Sequence, residues 1–206
     1  MVIIGNLLQG QGTRANANIL VNRATRMHLD STASKYARIE RERRFLLDAF
    51  PTDAQVVRIR EITDRYIKGT RLRLRRQVDG DGQITFKLTQ KVPAPGPGSQ
   101  QGFITNMYLT EDEFRIVAQL PAKELKKRRY SVPPFGIDVF EGELQGLVLA
   151  EIEFASTFEA DAFPIPSFAI RDVSGDERFT GGRLVYASRQ EWQSWVAEAV
   201  SQAKLD

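Results

Sequence analysis

Ionisable side chains recur at every second position in several stretches of this 206-residue chain. Glu40, Glu42 and Arg44 do so in RIERERRFLL, Arg71, Arg73 and Arg75 in TRLRLRRQ, and Thr85, Lys87, Thr89 and Lys91 in ITFKLTQK. Lys127, Arg129 and Ser131 follow in KKRRYSV, and Glu151 and Glu153 in VLAEIEF. A period of two places each set on one face of a β-strand. Arginine and lysine donate charge-assisted hydrogen bonds to phosphate oxygens, arginine in bidentate geometry. Carboxylates repel phosphate, so the two Glu-x-Glu pairs suit a divalent ion that bridges protein and ligand; Mg2+ typically takes about one or two carboxylates together with water and substrate phosphates. Two such pairs have room for two ions. The chemistry these residues point to is the binding of a polyphosphate with Mg2+ or Mn2+.

Composition removes the main alternatives. The chain has no cysteine and a single histidine, His28, which excludes disulfides, thiolate catalysis and His or Cys metal clusters. Its net charge of +3 favours an anionic partner. No run approaches the roughly 20 apolar residues of a membrane span, and the N-terminus lacks the pattern of a secretory signal, so a cytoplasmic protein is expected.

The charged faces need a scaffold. On a single strand such a face is ordinarily the solvent side of an antiparallel sheet. Here it recurs on at least four strands, and arginines spaced by two would repel one another across a flat, open sheet. They become sensible if the strands curl so that the charged faces line a lumen and the apolar faces turn outward beneath helices. Three helices are expected from Ser/Thr-x-x-Glu/Gln capping boxes at Thr52 to Gln55, Thr110 to Glu113 and Ser188 to Glu191. The last continues with Trp192, Trp195, Val196, Ala199, Val200 and Ala203, one apolar helical face. Loops are marked at Val92 to Gly102, Val132 to Gly136 and Phe163 to Phe168. Residues 1–35 carry Asp30 as their one acid and no lasting periodicity; they read as a disordered or loosely packed extension, or as the product of a start really placed near Met27. Residues 36–206 read as one domain.

From Tyr36 to about Ala187 the chain resembles the CYTH superfamily, the triphosphate tunnel metalloenzymes, which include class IV adenylyl cyclases, thiamine triphosphatases and bacterial tripolyphosphatases. Its Glu-x-Glu-x-Lys strand reads Glu40-Arg41-Glu42-Arg43-Arg44, its Arg-x-Arg strand Arg73-Leu74-Arg75, and its Thr-x-Lys strand Thr89-Gln90-Lys91. Lys127-Arg128-Arg129-Tyr130, Asp138 with Glu151 and Glu153, and RDVSGDERFTGGRL follow in the family's order, with Asp172 and Ser174 standing for Glu and Thr. The resemblance implies an α+β fold, an eight-stranded antiparallel β-barrel tunnel with a charged lumen, flanked by amphipathic helices. It implies phosphate binding by Arg73, Arg75, Lys91, Lys127 and Arg129, and metal binding by Glu40, Glu42, Glu151 and Glu153, with Asp138 a further candidate. The family's tripolyphosphatases pair the motif lysine with a tyrosine at the end of the first helical region, which implies catalytic roles for Arg44 and Tyr66.

Two departures bear on the chemistry. Arginine is effectively never deprotonated, so Arg44 cannot serve as a general base. Val92 to Thr110 contains no Asp or Glu, where the family usually carries acids. The leading expectation is a metal-dependent hydrolase of inorganic tripolyphosphate or another linear triphosphate. A class IV adenylyl cyclase and a non-catalytic polyphosphate- or nucleotide-binding module are the alternatives. The expected partner is a triphosphate-bearing small molecule, with homodimerisation left open; basic residues inside a lumen do not make a nucleic-acid surface.

Overall fold

The computed structural model describes residues 37–93 and 101–204, and the described elements lie in the unit Arg38–Asp206. The extension expected over residues 1–35 is outside the described residues. Eight strands form the barrel: β1 (Arg38–Leu47), β2 (Arg58–Ile67), β3 (Leu72–Asp79), β4 (Ile84–Pro93), β5 (Gln101–Leu109), β6 (Ala122–Val132), β7 (Phe135–Phe140) and β8 (Val148–Glu153). They pair in the order β5-β4-β3-β2-β6-β7-β8-β1, all antiparallel, and β5 returns to pair with Arg38 to Arg41 of β1, closing the ring. A two-residue β9 (Arg171–Asp172) pairs with Phe45 and Leu46 of β1. The turn from β3 to β4 is made by Asp79-Gly80-Asp81-Gly82, with Gly82 at φ +84, a conformation that glycine adopts without steric cost.

Four short helices accompany the barrel: α1 (Glu111–Val117), α2 (Thr157–Ala162), α3 (Gly181–Leu184) and α4 (Arg189–Ala203). Both later capping boxes are present: Thr110 and Ser188 each accept from the backbone of the third helical residue, whose glutamate accepts in return. The helix expected from Thr52 is not formed. Pro51 to Ala54 make a turn, and the chain then runs extended into β2. The local capping signal loses because VVRIREIT is rich in β-branched residues, and the strand it leads into pairs with β6 from Arg58 to Ile67 and with β3 from Arg60 to Tyr66. Tyr66 therefore lies on β2 rather than at a helix end.

The alternating faces sort as the lumen argument requires. Outward-facing Phe45, Leu47, Ile137, Val148, Ala150 and Ile152 form one buried cluster, beneath Phe154, Phe163 and Ala169. Arg43 shares that outer side. Its Nε donates to Asp172 Oδ2 at 2.9 Å, its Nη1 donates to the Ala160 carbonyl at 3.0 Å, and its guanidinium lies 5.0 Å from the centre of the Phe45 ring. Arg43 thus ties β1 to β9 and to α2. Outside the barrel too, α1 places Phe114 against Phe86 of β4, ring centres 4.5 Å apart.

One expectation about the helices is corrected. α4 does not cover an outward face. Trp192 and Ala199 pack in a second cluster with Leu46, Leu125, Phe140 and Leu149, which occupy inward positions at one end of the barrel, together with Val173, Phe179 and Leu184. The C-terminal segment therefore fills that end with apolar side chains, and Trp192 Nε1 is satisfied by the Glu143 carbonyl at 2.9 Å. The fit is tight at Gly181, where an added Cβ would sit 2.1 Å from the Tyr66 hydroxyl. Gly181→Ala is expected to cost about 1–3 kcal/mol by overpacking. Gly182→Ala, whose Cβ would come no nearer to Tyr66 than 3.9 Å, is expected to stay within about 1 kcal/mol of the parent. Urea unfolding of the two variants checks this, and equal stabilities would contradict it.

Candidate functional site: the polar lumen

Strand register decides which charges meet. Glu42 is opposite Glu153, and Arg44 opposite Glu151, across β1 and β8; Arg129 is opposite Asp138 across β6 and β7. On the other arc, Asp64 is opposite Arg75 and Tyr66 opposite Arg73 across β2 and β3, and Arg73 and Arg75 face Thr89 and Lys87 of β4. All these side chains share the inward face.

Arg44 lies between two carboxylates. Its Nη2 donates to Glu42 Oε1 at 2.5 Å and its Nε to Glu151 Oε1 at 3.2 Å. Arg129 also grips Glu151, and it binds Asp138 through Nε and Nη2, each at 2.6 Å. Lys127 donates to the same Asp138. Asp138, fully buried, thus anchors two basic side chains with both of its oxygens. Glu40 pairs with Lys91 at 2.6 Å, and the more exposed Glu153 with Arg38 at 3.1 Å. Burial raises the Glu42 pKa above the ordinary carboxylate value, and the neighbouring Glu151 raises it further. Burial opposes ionisation of Glu151 as well, but Arg129, Lys127 and Arg44 hold it well below that value.

The opposite arc is built around Asp64, which is 1% exposed. Arg75 binds it in bidentate fashion, Nε to Oδ1 and Nη2 to Oδ2, both at 2.7 Å. Burial would raise the Asp64 pKa; Arg75 and then Arg73 overcome that and hold it below the carboxylate range. Tyr66 stands opposite Arg73 across β2 and β3. Burial, and then the charge of Asp64, push the tyrosine up to about 12, so its phenol is neutral near pH 7. Arg73 Nη2 also reaches Thr89 Oγ1 at 3.5 Å, and Thr89 donates to Asn106 Oδ1 at 2.8 Å. Arg73 Nε and Arg60 Nε are buried with no hydrogen-bond partner. Buried donors left in this state are costly unless a ligand completes them.

The Nitrosomonas europaea inorganic triphosphatase is 31% identical to this chain over 152 residues, covering 70% of the chain and 95% of that protein. The chain belongs to the CYTH superfamily of triphosphate tunnel metalloenzymes. No family model matches it. A crystal structure of an inorganic triphosphatase aligns at 24% identity with a TM-score of 0.48, covering 72% of this chain and 95% of that one. A Pyrococcus horikoshii protein aligns at 19% identity with a TM-score of 0.45, over 58% and 82% of the two chains.

The phosphate, metal and catalytic candidates named from sequence lie on the inward face, whereas Asp172 and Tyr130 of the quoted motifs lie on the outer side. The candidates form two arcs: Glu40, Glu42, Arg44, Glu151 and Glu153 on β1 and β8, and Tyr66, Arg73, Arg75 and Lys91 on β2, β3 and β4, with Lys127, Arg129 and Asp138 between them. Tyr66 and Arg44 belong to different clusters, one with Arg73 and the other with Glu42 and Glu151. Sequence reasoning missed Asp64, Arg60 and Asn106 as members of the site, and it put Lys87 on a charged face without giving it a role. Asp64 and Arg60 were hidden by the helix expected at their segment, although they lie at period two from Tyr66. β5, the strand without acids, turns Gly102, Ile104, Asn106 and Tyr108 inward. Among the described residues no three carboxylates converge on one point, since each is turned to a basic partner. The all-oxygen pairs on β1 and β8, with Glu42 and Glu151 close enough to disfavour each other's charge, still fit a hard divalent ion sharing its coordination with phosphate. No helix among the described residues is long and apolar enough to cross a membrane.

Proposed function

We propose that this chain is a divalent-metal-dependent triphosphatase that hydrolyses inorganic tripolyphosphate or another linear triphosphate inside the barrel. The observation that carries the reading is the pairing, within one lumen, of a carboxylate arc with a guanidinium and ammonium arc in which Arg73 Nε and Arg60 Nε are buried without a hydrogen-bond partner. Hydrolysis adds water across a terminal P–O–P bridge and releases orthophosphate. Arg73, Arg75, Lys91, Lys127 and Arg129 bind phosphoryl oxygens, and Asp64 and Asp138 hold the guanidinium planes of Arg75 and Arg129 in place for this. Glu40, Glu42, Glu151 and Glu153 would hold Mg2+ or Mn2+, which would supply charge neutralisation and a more acidic water. Arg44 keeps its proton: Glu42 and Glu151 raise its pKa against the opposing effect of burial. Its part is to stabilise charge that develops on the transferred phosphoryl group, not to accept a proton. Tyr66, neutral and opposite Arg73, positions that arginine.

The test is phosphate release from tripolyphosphate, ATP and thiamine triphosphate with Mg2+, Mn2+ or EDTA, at pH 7 and pH 9. Metal-dependent release is expected, fastest from tripolyphosphate. Cyclic AMP and pyrophosphate from ATP would replace the reading with that of a class IV cyclase, and tight triphosphate binding without turnover would make the chain a binding module.

A further inference from the structure

Lys87 stands apart from the other basic side chains of the lumen. Arg44, Arg73, Arg75, Lys91, Lys127 and Arg129 each have a carboxylate in ion-pair contact. Lys87 has none among the described residues, although it is half-buried and inward-facing between Arg75 of β3 and Tyr108 of β5. The groups around it are Arg73 and Arg75 on β3, Arg129 on β6, Asp64 on β2, Asn106 and Tyr108 on β5, and Thr85 and Thr89 on its own strand. The acid in this set, Asp64, has both oxygens taken by Arg75. The acids of α1, Glu111, Asp112 and Glu113, belong to the outer side, where they pair with Arg115 or cap their own helix. An uncompensated ammonium beside two guanidinium groups is unfavourable in the empty protein and becomes favourable when an anion arrives.

We propose that Lys87, inward-facing opposite Arg75 and one pair along from Arg73, forms a phosphate subsite on the β3–β4 wall that takes the part of a linear polyphosphate lying away from the carboxylates of β1 and β8. The inference rests on the triphosphate reading of the lumen and adds a residue outside the family motifs quoted above. A consequence is pH dependence. Burial, and then the charges of Arg75 and Arg73, hold the Lys87 ammonium down to about 8. Phosphate would stabilise its charged form, so binding through Lys87 is complete below pH 8 and weakens as pH rises through that value.

The experiment is calorimetric titration of the full chain with tripolyphosphate in EDTA, where binding is read without turnover, at pH 7 and pH 9. Lys87→Met is expected to raise the Kd at pH 7 by about tenfold or more. Without ligand, its thermal midpoint should equal or exceed that of the parent, because the substitution removes repulsion and breaks no ion pair. Lys87→Arg is expected to keep the pH 7 affinity while losing the part of the pH 9 weakening that comes from titration of residue 87. Binding by Lys87→Met as tight as that of the parent, or a Lys87→Arg pH dependence identical to the parent's, overturns the subsite. A parent protein that does not bind tripolyphosphate overturns the triphosphate reading itself, and with it this inference. Loss of affinity in Lys87→Met sustains the subsite even where no hydrolysis is seen.

Discussion

Glu42→Gln is expected to lower metal-dependent phosphate release from tripolyphosphate by about 10²–10³-fold, because it removes a charged metal ligand whose ion contributes several kcal/mol of transition-state stabilisation. The fold should not suffer. Burial and Glu151 already raise the Glu42 pKa, so its ionised form is disfavoured in the folded chain, and that penalty grows as pH rises above the ordinary carboxylate range. A neutral glutamine of the same shape removes the penalty, and Arg44 keeps its contact with Glu151. Urea unfolding at pH 7 should therefore find the variant as stable as the parent or slightly more so, while Mn2+ binding, followed by its paramagnetic signal, weakens. Full activity at saturating metal would remove Glu42 from the metal site. Loss of activity accompanied by loss of stability would make it a structural residue instead.

Asp64→Asn should show the converse pattern, a large loss of stability. The carboxylate is fully buried and neutralises Arg75 through two 2.7 Å hydrogen bonds, with Arg73 at 3.7 Å. Removing one partner of such a pair leaves uncompensated buried charge and typically costs about 3–5 kcal/mol. Here the orphaned guanidinium groups would also face Lys87. The depressed pKa of Asp64 gives the parent a matching pH dependence. The stabilisation is fully present above the unfolded carboxylate value of about 3.9, and it is lost as pH falls through the lower folded value. Tripolyphosphate should restore part of the deficit in Asp64→Asn, because phosphate replaces the missing negative charge. Bound ligand at a hundredfold excess over its Kd contributes about 2.7 kcal/mol. Denaturation at pH 7, with and without tripolyphosphate, measures both effects. A variant as stable as the parent would show that Arg75 does not depend on Asp64.

These two carboxylates differ in how far the chain alone reveals them. Glu42 announces itself, since it lies in an alternating run where a motif and a period of two agree. Asp64 lies in a segment whose first residues carry a sound helix-capping signal, and only pairing with β3 and β6 makes that segment a strand. Once it is a strand, the same period of two brings Arg60, Asp64 and Tyr66 into line on the inner face.

The amino-acid sequence by itself determined the curled sheet with its charged inner face and the helix at Ser188, and it pointed to the proposed class of ligand, because each rests on local chemistry: charges at period two, no cysteine, a hydroxyl three residues before a glutamate. Tertiary structure alone decided the rest. Long-range strand register sets which charges meet: pairing of β1 with β8 lets Arg44 bridge Glu42 and Glu151, while pairing of β2 with β3 sets Tyr66 opposite Arg73. The C-terminal helix packs at one end of the barrel because the apolar residues exposed there, Leu46, Leu125, Phe140 and Leu149, come from four strands and form a surface only when those strands are side by side. Lys87 looks in sequence like any other lysine of a charged face. Its lack of a counter-ion is a property of its neighbours, and those are set by long-range register.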